Sequence, residues 1–215
     1  SFSSTAPAGF TLNATTKMLS VDPTNEAFNS LAVGDEKVIT VSYNVRDAQN
    51  APVMQTATIT IKGTNDAPMI TANTMGGEKA SLTESDIALT ESGSFAVTDP
   101  DNGDVVTAAK DGVIVAVGGN LGTLTEANLL SFFTLTPSTT LPGTLNWNFT
   151  SGASTFDYLA AGQVLTLTYG VKVTDDSGAA NNSDTDTVTI TITGTDDLPK
   201  IQIIDATGRV DEAAL

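Results

Sequence analysis

Asp99, Asp101 and Asp104 fall in one short run, Asp99-Pro100-Asp101-Asn102-Gly103-Asp104. Asp175-Asp176 is a second acidic pair, and Asn65-Asp66 and Asp196-Asp197 are two more polar pairs. All of these side chains end in oxygen. Calcium is a hard cation that takes about six to eight such oxygens, from carboxylates, amide carbonyls and backbone carbonyls, in flexible geometry. Paired carboxylates can also hydrolyse glycosides. Nothing in the residue types separates that chemistry from cation binding. The chain has no His and no Cys, so the commonest general base, thiolate metal sites and disulfides are all absent. No hydrolytic or redox activity is expected.

The acidic pairs at 65–66 and 196–197 occupy equivalent places in a repeat. Gly63-Thr64-Asn65-Asp66-Ala67-Pro68 returns as Gly194-Thr195-Asp196-Asp197-Leu198-Pro199. Each copy follows an alternating run, Thr56 to Lys62 or Thr187 to Thr193. Alternation of this kind marks a half-buried strand. Gly ends the strand and Pro removes a backbone donor. The unit therefore reads as last strand, acidic hinge, next domain. Residues 56–70 align on 187–201 with ten identities, and Phe28–Asp47 aligns on Phe156–Asp175 with seven. The offset between copies grows from 128 to 131, which places a short insertion in the 175–187 hairpin loop. Tandem domains follow. Residues 1–66 are read as the later part of a first repeat, 67–197 as a complete β-sandwich repeat, and 198–215 as the start of a third. This phase predicts a piece of a longer array.

Composition sets the class. Net charge is −16 and the isoelectric point is near 4.1. Such a chain repels nucleic acid and anionic membranes and attracts cations. No apolar run approaches the roughly 20 residues of a membrane span. No signal peptide opens the chain at Ser1, and a mature fragment would carry none. Thr, Ser, Gly and β-branched residues dominate, so long helices are poorly supported and an all-β fold is expected.

The elements that must position the acidic loops follow in order. Short strands are expected at Phe10–Leu12 and Met18–Val21, with a loop at 26–34. Longer strands are expected at Val38–Val45 and Val53–Ile61. In the complete repeat, strands are expected at Met69–Thr71, Ser94–Thr98, Gly143–Phe149, Val164–Val173 and Thr187–Thr193. Gly76-Gly77 marks a bulge or crossing, and 88–93 a turn. Residues 105–117 give one or two strands split at Asp111-Gly112. Residues 121–125 read as turn then strand, and 126–133 as a short helix capped by Thr125. Seven or more strands at this spacing imply an antiparallel sandwich of immunoglobulin-like or cadherin-like connectivity.

In such a sandwich the loop after the second strand and the loop before the last strand share the end where the chain enters. Asp99, Asp101 and Asp104 should then meet Asp175, Asp176, Asn65 and Asp66. The same reasoning at the exit end collects Asp196 and Asp197 with Glu91 or Glu84, and with Asp157. Unpaired carboxylates at this density repel, and a divalent cation resolves the repulsion. Asp-Pro-Asp-Asn-Gly is also an ordinary type I turn sequence. The doubled hinge, the spacing and the charge excess favour calcium. Trp147 and Tyr169 read as core residues rather than a sugar-stacking platform.

Thr90-Glu91-Ser92-Gly93, Val97-Thr98-Asp99-Pro100-Asp101, the stretch from Phe156 to Asp175 and the hinge Gly63–Pro68 together resemble the VCBS repeat of large bacterial surface proteins. The resemblance covers nearly the whole chain. It implies tandem cadherin-like sandwiches, type I secretion, an extracellular or cell-surface location, and roles in adhesion and biofilm formation. It also implies calcium at the hinge and at the Asp-Pro-Asp loop. The chain departs from the pattern at Asp196 and Leu198, at Arg46, and in the length of 105–150.

Two functions are expected on this basis. One is a calcium-stiffened structural module of a secreted adhesin, whose partners are neighbouring repeats. The other is a ligand-binding module using residues 105–150, for surface glycans or for another copy of itself. The half-repeat at 1–66 would leave Val41, Tyr43, Ile59 and Ile61 exposed. Strand donation from residues 200–215 of another copy, beginning with Ile201-Gln202-Ile203, is one way to cover them.

Overall fold

The computed structural model describes residues 5–13, 15–16, 18–73, 78–116, 119–137 and 142–198. Its strands are β1 (Phe10–Leu12), β2 (Leu19–Val21), β3 (Glu36–Arg46), β4 (Pro52–Lys62), β5 (Met69–Ala72), β6 (Lys79–Thr83), β7 (Thr90–Thr98), β8 (Thr107–Val115), β9 (Phe133–Pro137), β10 (Gly143–Thr150), β11 (Val164–Thr174) and β12 (Ser183–Thr193). One helix, α1 (Glu126–Phe132), precedes β9. The chain is all-β, as its composition implied. The expected strand at Ile201–Ile203, the Gly76-Gly77 feature and all of the third repeat except Leu198 lie outside the described residues.

Residues 69–193 form two facing four-stranded sheets, in the orders β5-β7-β10-β9 and β6-β12-β11-β8. The alternation seen in the sequence explains the packing. Along β11, Leu165, Leu167, Tyr169, Val171 and Val173 are fully buried, and Val188, Ile190 and Ile192 of β12 join them. Leu145, Trp147 and Phe149 point inward from β10. Intervening Thr residues face outward, where a β-branched hydroxyl side chain suits a half-solvated pleat. Phe133 stacks on Tyr169 at 4.6 Å between ring centroids and on Trp147 at 6.1 Å. The Tyr169 hydroxyl donates to the Leu129 carbonyl of α1 at 3.1 Å, and burial pushes its phenol well above the usual range. Both aromatic residues are core residues.

Several local expectations are corrected. Strands β6 and β9 had not been anticipated. β6 runs parallel to β12, so the sandwich is not antiparallel throughout; β5 and β6 belong to opposite sheets. The expected turn at 88–93 is mostly strand, because Glu91 and Gly93 pair with Phe149 and Trp147 of β10. Cross-strand pairing overrides the turn propensity of Ser and Gly. Residues 121–125 contain the turn but no strand. Thr125 instead caps α1, exchanging hydrogen bonds with Asn128 in a capping box, as the Thr125 reading anticipated. Asp111-Gly112 does not split β8. It forms a bulge opposite Gly170, with Gly112 at φ 82°.

Residues 10–62 hold two separate strand pairs, β1-β2 and β3-β4. Phe10, Phe28 and Val41 form a small buried cluster, with Ile39, Ile59 and Ile61 packed against it. The expectation that Val41, Ile59 and Ile61 would stand exposed is therefore wrong, because Phe10 and Phe28 cover that end. The far end of the hairpin stays open, with Val45 and Val53 exposed at 50% and 57%. The repeat-equivalent of Val45, Val173, is fully buried.

Candidate metal centre

Three segments converge where the chain passes from β4 into β5. They are the hinge at 63–68, the loop after β7 at 99–106, and the β11–β12 loop at 175–182. Glycine sets the hinge's path. A Cβ on Gly63 would lie 2.2 Å from the Ala32 carbonyl oxygen, and one on Gly194 would lie 2.4 Å from that of Leu159. The Gly63 and Gly194 N–H groups donate to the Asp35 and Gln163 carbonyls, at 2.9 and 2.8 Å. Both hinges thus leave the preceding strand by the same close backbone contact, which only glycine permits.

Beyond Gly63 the hinge is bound to both loops. The Asp66 N–H donates to Asp101 Oδ2 at 2.8 Å, and Asn65 Nδ2 donates to Asp175 Oδ2 at 3.2 Å. Asn181 Nδ2 donates to the Asn65 carbonyl at 2.8 Å. The Asn102 N–H reaches back to the Ser30 carbonyl at 3.3 Å. Inside the loops the aspartates make Asx turns. Asp99 Oδ1 accepts from the Asp101 N–H at 3.0 Å, and Asp175 Oδ1 accepts from the Ser177 N–H at 2.9 Å and from its hydroxyl. The turn reading and the cation reading are therefore both met. Asp99 and Asp101 each use one oxygen to hold a loop or the hinge and leave the other bare, whereas both Asp175 oxygens are engaged.

Those bare atoms define the site. Asn65 Oδ1, Asp99 Oδ2, Asp101 Oδ1 and Asp104 Oδ2 are buried with no hydrogen-bond partner. Asp101 and Asp175 are each only 4% exposed and Asn65 9%. One carboxylate oxygen from each of Asp99, Asp104 and Asp175 lies within 4.8 Å of the others. Two unit charges 4 Å apart repel by about 4 kcal/mol near a protein surface. Burial raises the carboxyl groups of Asp99, Asp101 and Asp104 above the ordinary aspartate value. Neighbouring charges add to this: Asp66 and Asp175 act on Asp99 and Asp101, and Asp99, Asp101 and Asp175 act on Asp104. Buried orphaned oxygens with raised affinity for protons fit a bound cation. The donor set holds oxygen alone, with no nitrogen or sulfur, and suits a hard ion.

A second group, Glu84, Asp157 and Asp197, meets the same 4.8 Å criterion at the exit end. Glu84 is 2% exposed; its Oε2 accepts from the Thr195 hydroxyl at 2.6 Å, and its Oε1 has no partner. Asp157 Oδ1 is likewise orphaned. Together with Asp86 and Asp196 these residues line a hollow of about 640 Å³.

The structure does not gather every residue the sequence suggested. Glu91 stays out of both groups. It is exposed on β7 and accepts from the Ser92 N–H, and Glu84 stands in the exit cluster in its place. Asp176 is exposed beside the entry cluster, where its Oδ1 accepts from the Val105 N–H at 2.9 Å and ties one loop to the other. Asp196 is exposed at the rim of the exit hollow. Asn181 was missed. Its signal was the insertion that lengthens its loop relative to the first copy.

No protein-family model matches the chain, and no curated protein matches it. Fold and site define an all-β chain with two acidic clusters, each able to hold a metal ion. No described helix is long and apolar enough to cross a membrane.

Proposed function

We propose that this chain is a calcium-stiffened structural module of tandem β-sandwich repeats. The observation that carries the reading is the set of four buried, partnerless oxygens on Asn65, Asp99, Asp101 and Asp104. They belong to the hinge and to the loop of the following sandwich that it touches, so an ion bound there fastens the hinge to that sandwich. The exit cluster would serve the next hinge in the same way. Calcium is the ion of choice because all the donors are oxygen and the loops are irregular. The resemblance to VCBS repeats extends the reading to a secreted bacterial surface adhesin acting in adhesion and biofilm formation. A ligand-binding role is less favoured. Trp147, the aromatic residue best suited to stack on a sugar, is 1% exposed and packed on Phe133.

Calorimetric titration with calcium tests the proposal, together with small-angle scattering with and without chelator. Saturable binding, and a narrower distribution of shapes with calcium, are expected. A flat titration at millimolar calcium ends the reading.

A further inference from the structure

We propose that Asn181 is a positioning residue that aims Asn65 at the hinge cation. The inference rests on the calcium reading of the entry cluster and adds a residue that contributes no bare oxygen of its own.

The geometry is reciprocal. Asn181 Nδ2 donates to the Asn65 main-chain carbonyl at 2.8 Å. Asn65 Nδ2 returns toward the Asn181 carbonyl and Oδ1, at 3.4 and 3.5 Å, and donates to Asp175 Oδ2 at 3.2 Å. A carboxylate oxygen can only accept, so the amino side of the Asn65 amide must face Asp175. The carbonyl side is thereby committed the other way. Its Oδ1 is the buried atom left without a partner. Asn65 is nine-tenths buried while Asn181 is exposed. The surface residue therefore fixes the backbone and amide orientation of the buried one, as outer-shell groups do at metal sites.

Asparagine at 65 also matters by charge. An aspartate there would lose the donor and add a further carboxylate beside Asp175, which already faces Asp99 and Asp104. The second hinge carries that aspartate, Asp196, at the equivalent position.

A double-mutant cycle tests the proposal, with calcium chloride titrated into the full chain and into the Asn181→Ala, Asn65→Ala and doubly substituted chains. Asn181→Ala should weaken calcium binding about tenfold, the lower end of outer-shell effects. In the Asn65→Ala background it should have no further effect. Wild-type affinity in Asn181→Ala overturns the positioning role. So does a loss that simply adds to that of Asn65→Ala, which would show that Asn181 acts by another route. Should Asn181→Ala fail to fold, Asn181→Ser takes its place in the same cycle. Failure of the unsubstituted chain to bind calcium would sink the underlying reading instead, so the two failures are distinct.

Discussion

The backbone N–H of Asp66 donates to Asp101 Oδ2 at 2.8 Å, joining the hinge to a loop 35 residues further along the chain. The other Asp101 oxygen is buried and unpartnered. Asp101 thus holds the hinge with one atom and keeps the other bare, while standing outside the 4.8 Å group of Asp99, Asp104 and Asp175. Asp101→Ala should leave the fold intact, because the lost hydrogen bond to a charged acceptor, about 1.5–3 kcal/mol, is offset in part by relief of repulsion. Calcium affinity should fall by at least the roughly tenfold that outer-shell changes cost. Calorimetry of the variant checks this, and wild-type affinity and stoichiometry would show Asp101 to be no ligand.

Calcium should raise the melting temperature. A ligand that binds only the folded state stabilises it by about 2.7 kcal/mol at a hundredfold excess over Kd. Scanning calorimetry with calcium and with chelator provides the comparison. Identical midpoints would contradict the prediction.

The two forms should respond oppositely to acid. The carboxyl groups of Asp99, Asp101 and Asp104 lie above their ordinary value of 3.8 in the folded chain, from burial first and neighbouring charge second. The folded state then binds more protons than the unfolded one between 3.8 and the raised values. Without metal, stability should rise as pH falls through that window and decline as pH climbs back. With calcium the sign reverses, since protons displace the ion. Urea melts at stepped pH, with and without chelator, show whether the slopes differ in sign.

Gly194→Ala should destabilise the complete sandwich by about 1–3 kcal/mol, the usual cost of overpacking. The new methyl would meet backbone at Leu159 and Ala160 rather than a side chain that can move. Chemical denaturation measures the loss, and an unchanged midpoint would mean that the hinge shifts freely.

Glu84→Gln should remove one calcium from the stoichiometry or weaken one site, and Glu91→Gln should do neither. Glu84 lies in the exit cluster, whereas Glu91 accepts from its neighbour on an exposed strand. Titration of the two variants side by side separates them.

Much of this was readable in the residues. Thr–Ile–Thr–Ile alternation marked β4 at nearly its full length and the last seven residues of β12, which begins four residues earlier, at Ser183, in what read as hairpin loop; the Thr125 cap located α1. The meeting of 65–66, 99–104 and 175 was expected from alternating strand direction, although β6 adds a strand, parallel to β12, that such alternation does not count. Less readable were β6, which does alternate but over only five residues, with Ala80 and Leu82 as its inward pair, and β9, which is defined by pairing with β10.

The sequence by itself determined that this chain is built of strands, which side of each faces inward, and that oxygen donors crowd its loops. A period of two fixes those properties locally, because each side chain's face follows from its neighbours. The tertiary structure decided which donors meet. Glu84 and Glu91 are both acidic and only seven positions apart, yet one is buried in the exit cluster and the other points to solvent. That outcome depends on sheet order, on β6 running parallel beside β12, and on which side of a turn the chain emerges. Asn181 shows the same limit. An asparagine in a hairpin loop has no partner until folding brings Asn65, 116 residues away along the chain, within 2.8 Å.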